Sequence, residues 1–264
     1  MSLDIRILGS SSRGNAALIC SKESKILIDA GFSGKKIEQK LHTLGESIEN
    51  IDAVFLTHEH GDHSQGLRGL AKHQHLRVFA NRDTSDEVRT KFDKSTRWDL
   101  FETGSTFLFK DIEVQSFPVP HDAADPVGFS FSSGGEDLFS PRRQIAWCTD
   151  LGHATHLIHE RLRAADTVVI EANHDTDMLE ASERTWPIKQ RIKGRHGHLC
   201  NEAALNLLRE VERPRWKNVV LAHMSRECNC IEKVQSCFEG IVQERAWNMH
   251  IVGPDAPPAA LALS

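Results

Sequence analysis

At 264 residues, with 39% apolar and 26% charged residues, the chain has the make-up of one large globular domain. Its formal net charge of -5 excludes a protein that coats polyanions through bulk charge, so any such binding must come from a local basic face. No apolar run of about 18 residues and no basic start with a long apolar core occurs, so neither a membrane span nor a leader is expected.

In chain order, the apolar runs Asp4 to Leu8 and Ala17 to Cys20 flank the loop Gly9-Ser10-Ser11-Ser12-Arg13-Gly14-Asn15 and predict a hairpin-like pair of strands. Lys25 to Asp29 predicts a third strand, ending in Ala30-Gly31. Gly34 to Leu44 sets Ile37, Leu41 and Leu44 at helical spacing and stops at Gly45. Ile51 to Thr57 predicts a buried strand, Leu67 to His73 a helix, Arg77 to Ala80 a strand and Thr84 to Phe92 a helix. From Thr106 strands dominate, at 107–109, 112–117, 128–132 and 144–148, with Gly134-Gly135-Glu136-Asp137 marking a hairpin. His156 to Arg163 reads as helix and Thr167 to Ile170 as strand. Asn201 to Glu212 reads as a helix capped by Asn201, Asn218 to Ala222 as strand, and Cys230 to Gln243 as helix. The Pro/Ala-rich segment 254–264 is expected to fray, leaving 1–253 as the domain. This order fits the α+β class: a four-layer sandwich of two mixed sheets face to face, with helices outside.

The most informative segment is His58-Glu59-His60-Gly61-Asp62-His63, directly behind Val54-Phe55-Leu56. Neutral imidazole is the commonest protein ligand for zinc and related ions, and carboxylate is a second donor. Other apolar runs also end in donors: Val119-Pro120 before His121-Asp122, Trp147-Cys148-Thr149 before Asp150, Val169-Ile170 before Glu171, and Leu221-Ala222 before His223. Strands ending this way would gather distant donors on one edge of the sandwich. Four donors in six residues strain to wrap one ion, whereas two adjacent ions can share them with a bridging carboxylate. His42, His73, His75, His156, His159 and His250 are assigned to solvent or packing. The six cysteines lack framework spacing and suit reduced thiols in a cytoplasmic protein; Cys228-Asn229-Cys230 has no second pair to complete a metal site.

These motifs resemble the metallo-β-lactamase superfamily. The narrower likeness is to its YycJ/WalJ-like branch, near ribonuclease Z and the phosphodiesterase PhnP. It is carried by the Gly9–Ala16 loop, Ile28-Asp29-Ala30-Gly31-Phe32-Ser33, Glu171-Ala172-Asn173-His174-Asp175, Trp186–Ile192, Gly194–Leu199 and Leu221–Ser225. The resemblance implies a metallo-β-lactamase fold and two divalent ions, zinc or manganese. His58, His60, His121 and Asp150 would hold one; Asp62, His63, Asp150 and His223 the other. Asp29 would orient an imidazole of the cluster. The implied activity is phosphodiester cleavage in nucleic acid, with 5′-to-3′ exonuclease action on DNA favoured over RNA.

Arg184, Lys189, Arg191, Lys193 and Arg195 form a cationic stretch with no acid among them, just before His196 and His198. Lys189, Arg191, Lys193 and Arg195 are expected to bind substrate phosphates, together with Ser12 and Asn15 of the first loop. Trp186 could stack a base. In the expected mechanism Asp62 aims the attacking water, His198 protonates the leaving oxygen and Glu171 keeps His198 charged, with His196 as the alternative acid. The competing readings are a small-molecule hydrolase, such as a cyclic phosphodiesterase, thioesterase or lactamase, and a metal-dependent binding module of low turnover.

Overall fold

Most strands bury both faces, and this is what builds the layers. In the computed structural model, which describes residues 3–91, 96–135, 141–245 and 247–260, β1 (Asp4–Ser11), β2 (Gly14–Cys20), β3 (Lys25–Ile28), β4 (Ala53–Phe55), β5 (Arg77–Ala80) and β6 (Arg97–Leu100) form one sheet in that order. It is antiparallel from β1 to β3 and parallel from β3 to β6. The second sheet runs β7 (Thr106–Phe109), β8 (Ile112–Pro118), β9 (Val127–Ser133), β10 (Arg143–Cys148), β11 (Thr167–Glu171), β12 (Asn218–Ala222) and β13 (Asn248–Ile251). It is antiparallel up to β10 and parallel beyond. On β4, Ala53 and Phe55 enter the layer between the sheets while Val54 faces outward. On β11, Val169 faces inward while Val168 and Ile170 face the opposite helices. Cover on both faces is why these segments read as continuous apolar runs rather than alternations.

The first sheet is covered by α1 (Gly34–Thr43), through Ile37 and Leu41, by α3 (Leu67–Leu70) and by Val88 of α4 (Arg82–Lys91). The single turn α2 (Gly61–Ser64) precedes α3. The second sheet is covered by α5 (His156–Ala164), α8 (Asn201–Glu210) and α9 (Ile231–Glu244), with α6 (Thr176–Ala181) and α7 (Trp186–Lys193) between α5 and α8. The result is the expected αββα sandwich.

Several details differ from the sequence reading. The cap of α8 is Cys200, whose Sγ accepts from Ala203 N at 3.4 Å; Asn201 is already helical, and its amide interlocks with Asn229 at 2.8 and 3.1 Å. The basic stretch is a helix, α7, started by Pro187 in its first turn, where a proline's fixed φ suits a helix. It buries no residue, so nothing marks it as a helix packed on the core. Strands β6 and β13 went unexpected because both are polar, half-exposed edge strands. Beyond Gly253, β14 (Ala259–Ala260) pairs with Arg6 and Ile7 of β1. Gly134 and Gly135 take φ of 86° and 88°, as a tight turn requires, while Glu136, Asp137 and Phe92 lie outside the described residues. All six cysteines are free, and among the described residues no helix is long and apolar enough to cross a membrane.

Candidate metal centre

Strand ends build the site, and a backbone reversal aims three of its side chains. Asp29, Asp150 and His223 each follow a strand and take positive φ (61°, 59° and 50°). This left-handed region costs an L-residue roughly 1–2 kcal/mol, though Asp, Asn and His are over-represented in it. The reversal turns each side chain off the strand's line. After β4, His60 is the N-cap of α2, so Asp62 and His63 ride on a helical turn. Glu59 turns away and accepts from Ala124 N at 3.0 Å. Behind the turn, Ala30 N donates to His63 O (2.7 Å) and Gly31 N to Asn15 O (2.8 Å). A Cβ on Gly31 would lie 1.6 Å from Asp62 O, so only glycine lets the two segments meet.

All seven residues expected to hold ions converge. Donor atoms of His58, His60 and His121 lie within 4.8 Å of one another, as do those of Asp62, His63 and His223. Asp150 reaches both groups: Oδ2 is 3.5 Å from His63 Nε2, while Oδ1 is 3.4 Å from His223 Nε2 and 4.0 Å from His121 Nε2. His198 also joins His121 and Asp150 within 4.8 Å.

The far nitrogen of four rings is anchored. His63 Nδ1 donates to Asp29 (2.8 Å), His58 Nδ1 to Thr57 Oγ1 (3.0 Å), His121 Nδ1 to the Gly197 carbonyl (3.1 Å) and His223 Nδ1 to Glu171 (3.2 Å). Thr57 in turn donates to Asp29 at 3.0 Å, so one carboxylate steadies two rings. Each Nε2 is thereby left as a lone pair pointing into the site. His58 Nε2, His121 Nε2, His223 Nε2 and Asp150 Oδ2 are buried without a hydrogen-bond partner. Bare buried lone pairs are costly, and a cation is the partner that nitrogen and oxygen donors share. The residues therefore fit divalent metal, and a His/Asp set without thiolate suits zinc or manganese.

With only protein groups present, burial opposes charge at every member, and neighbours decide the outcome. Burial depresses His63, but Asp150 and Asp29 lift it well above the usual imidazole range. His223, buried but facing Asp150, Asp62 and Glu171, rises to about 10. Burial, reinforced by His63, pushes His58 well below the usual range. Asp150 is raised by burial yet held well below the carboxylate range by His223 and His63.

Glu171 is the hub behind the site. Fully buried, it accepts from Leu151 N and Leu199 N through Oε1 (2.9 Å each) and from His198 Nδ1 (3.0 Å) and His223 Nδ1 (3.2 Å) through Oε2. Burial raises its pKa, but His198 and His223 bring it down to about 2. His198 opens onto a cleft of about 190 Å³ over the donors, whereas His196 is exposed outside it. Ser12 stands at the rim of that cleft, and Ile188, Arg191 and Ile192 of α7, with Arg184 just before the helix, form one wall.

The basic stretch is not one strip. Helical periodicity turns Ile188, Arg191 and Ile192 to the cleft. Lys189 and Lys193 instead reach Glu180, and Arg195 reaches His153 (3.3 Å). Arg191 pairs with Asp122, whose other oxygen is 3.4 Å from His121 Nε2. Asn15, expected at the substrate, is buried: its amide nitrogen donates to Ser11 O (3.0 Å) and lies 3.1 Å from His63 Nε2, while its oxygen accepts from Ser10 and Ser11. It braces the loop instead of reaching the cleft. Trp186, on the outer side of α7, is 71% exposed. Sequence reasoning missed Thr57, Asp122 and the carbonyl of Gly197. A hydroxyl directly before His58 and an acid directly after His121 were the available signals.

The family model described as a beta-lactamase superfamily domain matches residues 24–224. The chain is 32% identical over 265 aligned positions to exodeoxyribonuclease YycJ of Bacillus anthracis, covering 97% of this chain and 98% of that protein. It is 35% identical over 231 positions to exodeoxyribonuclease WalJ of Streptococcus pneumoniae, covering 86% and 83%. Its fold superposes on the metallo-beta-lactamase fold protein YhfI of Bacillus subtilis with a TM-score of 0.71 at 13% identity, over 96% of this chain and 98% of that one. The chain is thus a metal-dependent hydrolase that belongs to the metallo-β-lactamase superfamily, in the branch of YycJ and WalJ.

Proposed function

We propose that this chain is a phosphodiesterase acting on nucleic acid, and more narrowly a 5′-to-3′ exodeoxyribonuclease working with two divalent ions, zinc or manganese. The observation that carries the reading is the carboxylate of Glu171, shared by His223 of the donor cluster and His198 at the cleft. It couples a cation site to a proton donor, which a leaving alkoxide needs and a leaving thiolate does not. The relatives' activity on DNA supports the choice of polymer.

His58, His60, His121 and Asp150 would hold one ion, and Asp62, His63, Asp150 and His223 the other. When bound, such ions supply Lewis-acid stabilisation of phosphoryl charge and a nucleophilic water near neutral pH. Asp62, whose side chain is 26% exposed, accepts a hydrogen bond from the attacking water and aims it. His198 donates a hydrogen bond from Nδ1 to Glu171, which fixes the ring, and Nε2 serves as the proton donor to the leaving oxygen. Arg191 and Arg184, on the cleft wall, receive the substrate's phosphates, and Asp122 keeps Arg191 in position until they arrive. Asp29 acts behind the site, orienting His63 directly and His58 through Thr57.

The test is digestion by metal-reconstituted protein of end-labelled duplex DNA, single-stranded DNA and RNA, with a cyclic phosphodiester alongside. Progressive release of the 5′ label from duplex DNA is the expected result. Turnover of the cyclic diester alone would replace the nuclease reading with that of a small-molecule phosphodiesterase.

A further inference from the structure

A second group of metal-type donors lies at the opposite end of the first sheet. β4 sends its C-terminal end into the centre described above. Glu49, in the 3₁₀ turn Ile48–Asn50 before β4, instead meets His73 and His75 from the loop before β5. One donor atom from each of the three lies within 4.8 Å of the others.

The hydrogen bonds on the far nitrogens set the chemistry. His75 Nε2 lies 3.2 Å from the Ile48 carbonyl, and His73 Nε2 lies 2.9 Å from Glu38 Oε1. Both partners only accept, so both Nε2 atoms carry hydrogen and donate. The remaining nitrogen of each ring, Nδ1, then faces Glu49, at 2.9 Å from Oε1 for His73 and 3.7 Å from Oε2 for His75. In a neutral ring that Nδ1 is a lone pair, and lone pairs aimed at a carboxylate repel unless a cation lies among them. One shared metal ion serves both rings and Glu49 at once. Glu38, held by Lys72 at 2.9 Å, is the carboxylate that a metal-bound histidine usually has on its other nitrogen. His73 is also held by its backbone, its N–H on Leu70 O (2.9 Å) and its carbonyl under Leu76 N (3.0 Å).

We propose that Glu49, His73 and His75 bind a divalent transition-metal ion of the class that takes imidazole and carboxylate together, zinc foremost, with Glu38 orienting His73. The ion ties the turn before β4 to the loop before β5, and the site is independent of the catalytic reading. The experiment uses full-length protein whose tight ions are already loaded, titrated with Zn²⁺ and followed by equilibrium dialysis with elemental analysis. Wild type takes up one further equivalent, and His75→Ala loses it. Glu38→Gln binds it about 10–100-fold more weakly. Both variants keep wild-type turnover. The His75 side chain is 38% exposed, so its removal leaves the core intact; if the variant fails to fold, Glu49→Gln gives the same readout. Equal uptake by wild type and variant, or no uptake beyond the tight ions, overturns the proposal and leaves a cluster bridged by protons only.

Discussion

Replacing Glu171 by Gln strikes the point where the cation site and the proton donor share one carboxylate. The side chain is 0% exposed, and its two oxygens take four hydrogen bonds between 2.9 and 3.2 Å. Gln keeps the shape but brings an NH2 group with no acceptor to meet. Turned toward Leu151 and Leu199, it faces two backbone donors that cannot change. Turned toward the rings, it forces Nδ1 of His198 and His223 to accept, so each ring moves its hydrogen to Nε2. The second arrangement costs less, because imidazoles can change tautomer and amides cannot. His223 then offers N–H where a lone pair is needed, and loss of such an orienting partner costs about 10–100-fold in metal affinity. His198 loses the carboxylate that accepts from its Nδ1 and fixes its ring, and loss of a general acid costs about 10²–10⁴ in rate. That factor corresponds to about 3–5 kcal/mol on the barrier. The assay is steady-state release of mononucleotide from 5′-labelled duplex at saturating metal, with zinc affinity measured in parallel. Both kcat and zinc affinity should fall, and Glu171→Gln should add little to the loss already caused by His198→Ala, because the two act as one unit. His198→Ala alone should keep its ions. A Glu171→Gln protein that stays folded with kcat within about threefold of wild type would refute the shared-carboxylate argument.

Gly31→Ala puts a Cβ 1.6 Å from Asp62 O and 2.4 Å from Asn15 N, so it should cost about 3 kcal/mol or more in urea unfolding and release metal; wild-type stability would show that the two segments can part freely. Arg191→Ala should raise KM for 5′-phosphorylated duplex, leave kcat nearly unchanged and reduce the slope of log affinity against log salt by about 1; an unchanged slope would remove Arg191 from phosphate binding. Chelation leaves the His58, His121 and His223 Nε2 atoms and Asp150 Oδ2 without a partner, so it should abolish turnover and lower Tm, with zinc or manganese restoring both. At ion concentrations near 1,000 times Kd the linked stabilisation is about 4 kcal/mol, readily seen by calorimetry, and a Tm indifferent to chelator would count against a bound ion.

The layered fold was legible because each layer leaves a local trace. Strands covered on both faces read as unbroken apolar runs, as at 51–57 and 218–222, and α1 and α9 carry an apolar stripe. What left no trace was whatever buries nothing, as with α7, or forms a short, partly polar edge, as with β6 and β13, whereas the more apolar edge strand β7 was legible. The candidate donors were legible for a related reason: a metal ligand is specified by side-chain type, and His58 to His63 pack four into six positions. Their gathering on one edge of the sandwich was expected from strands that end in donors, but the distances among His58, His121, Asp150 and His223 are set by which strands neighbour one another and by left-handed turns at Asp150 and His223. Only the folded chain decided that Asn15 is buried, that Arg191 faces the cleft while Lys189 and Lys193 turn to Glu180, and that His73 and His75 meet Glu49. Each is a matter of direction between segments remote in sequence, which residue identity and spacing do not encode.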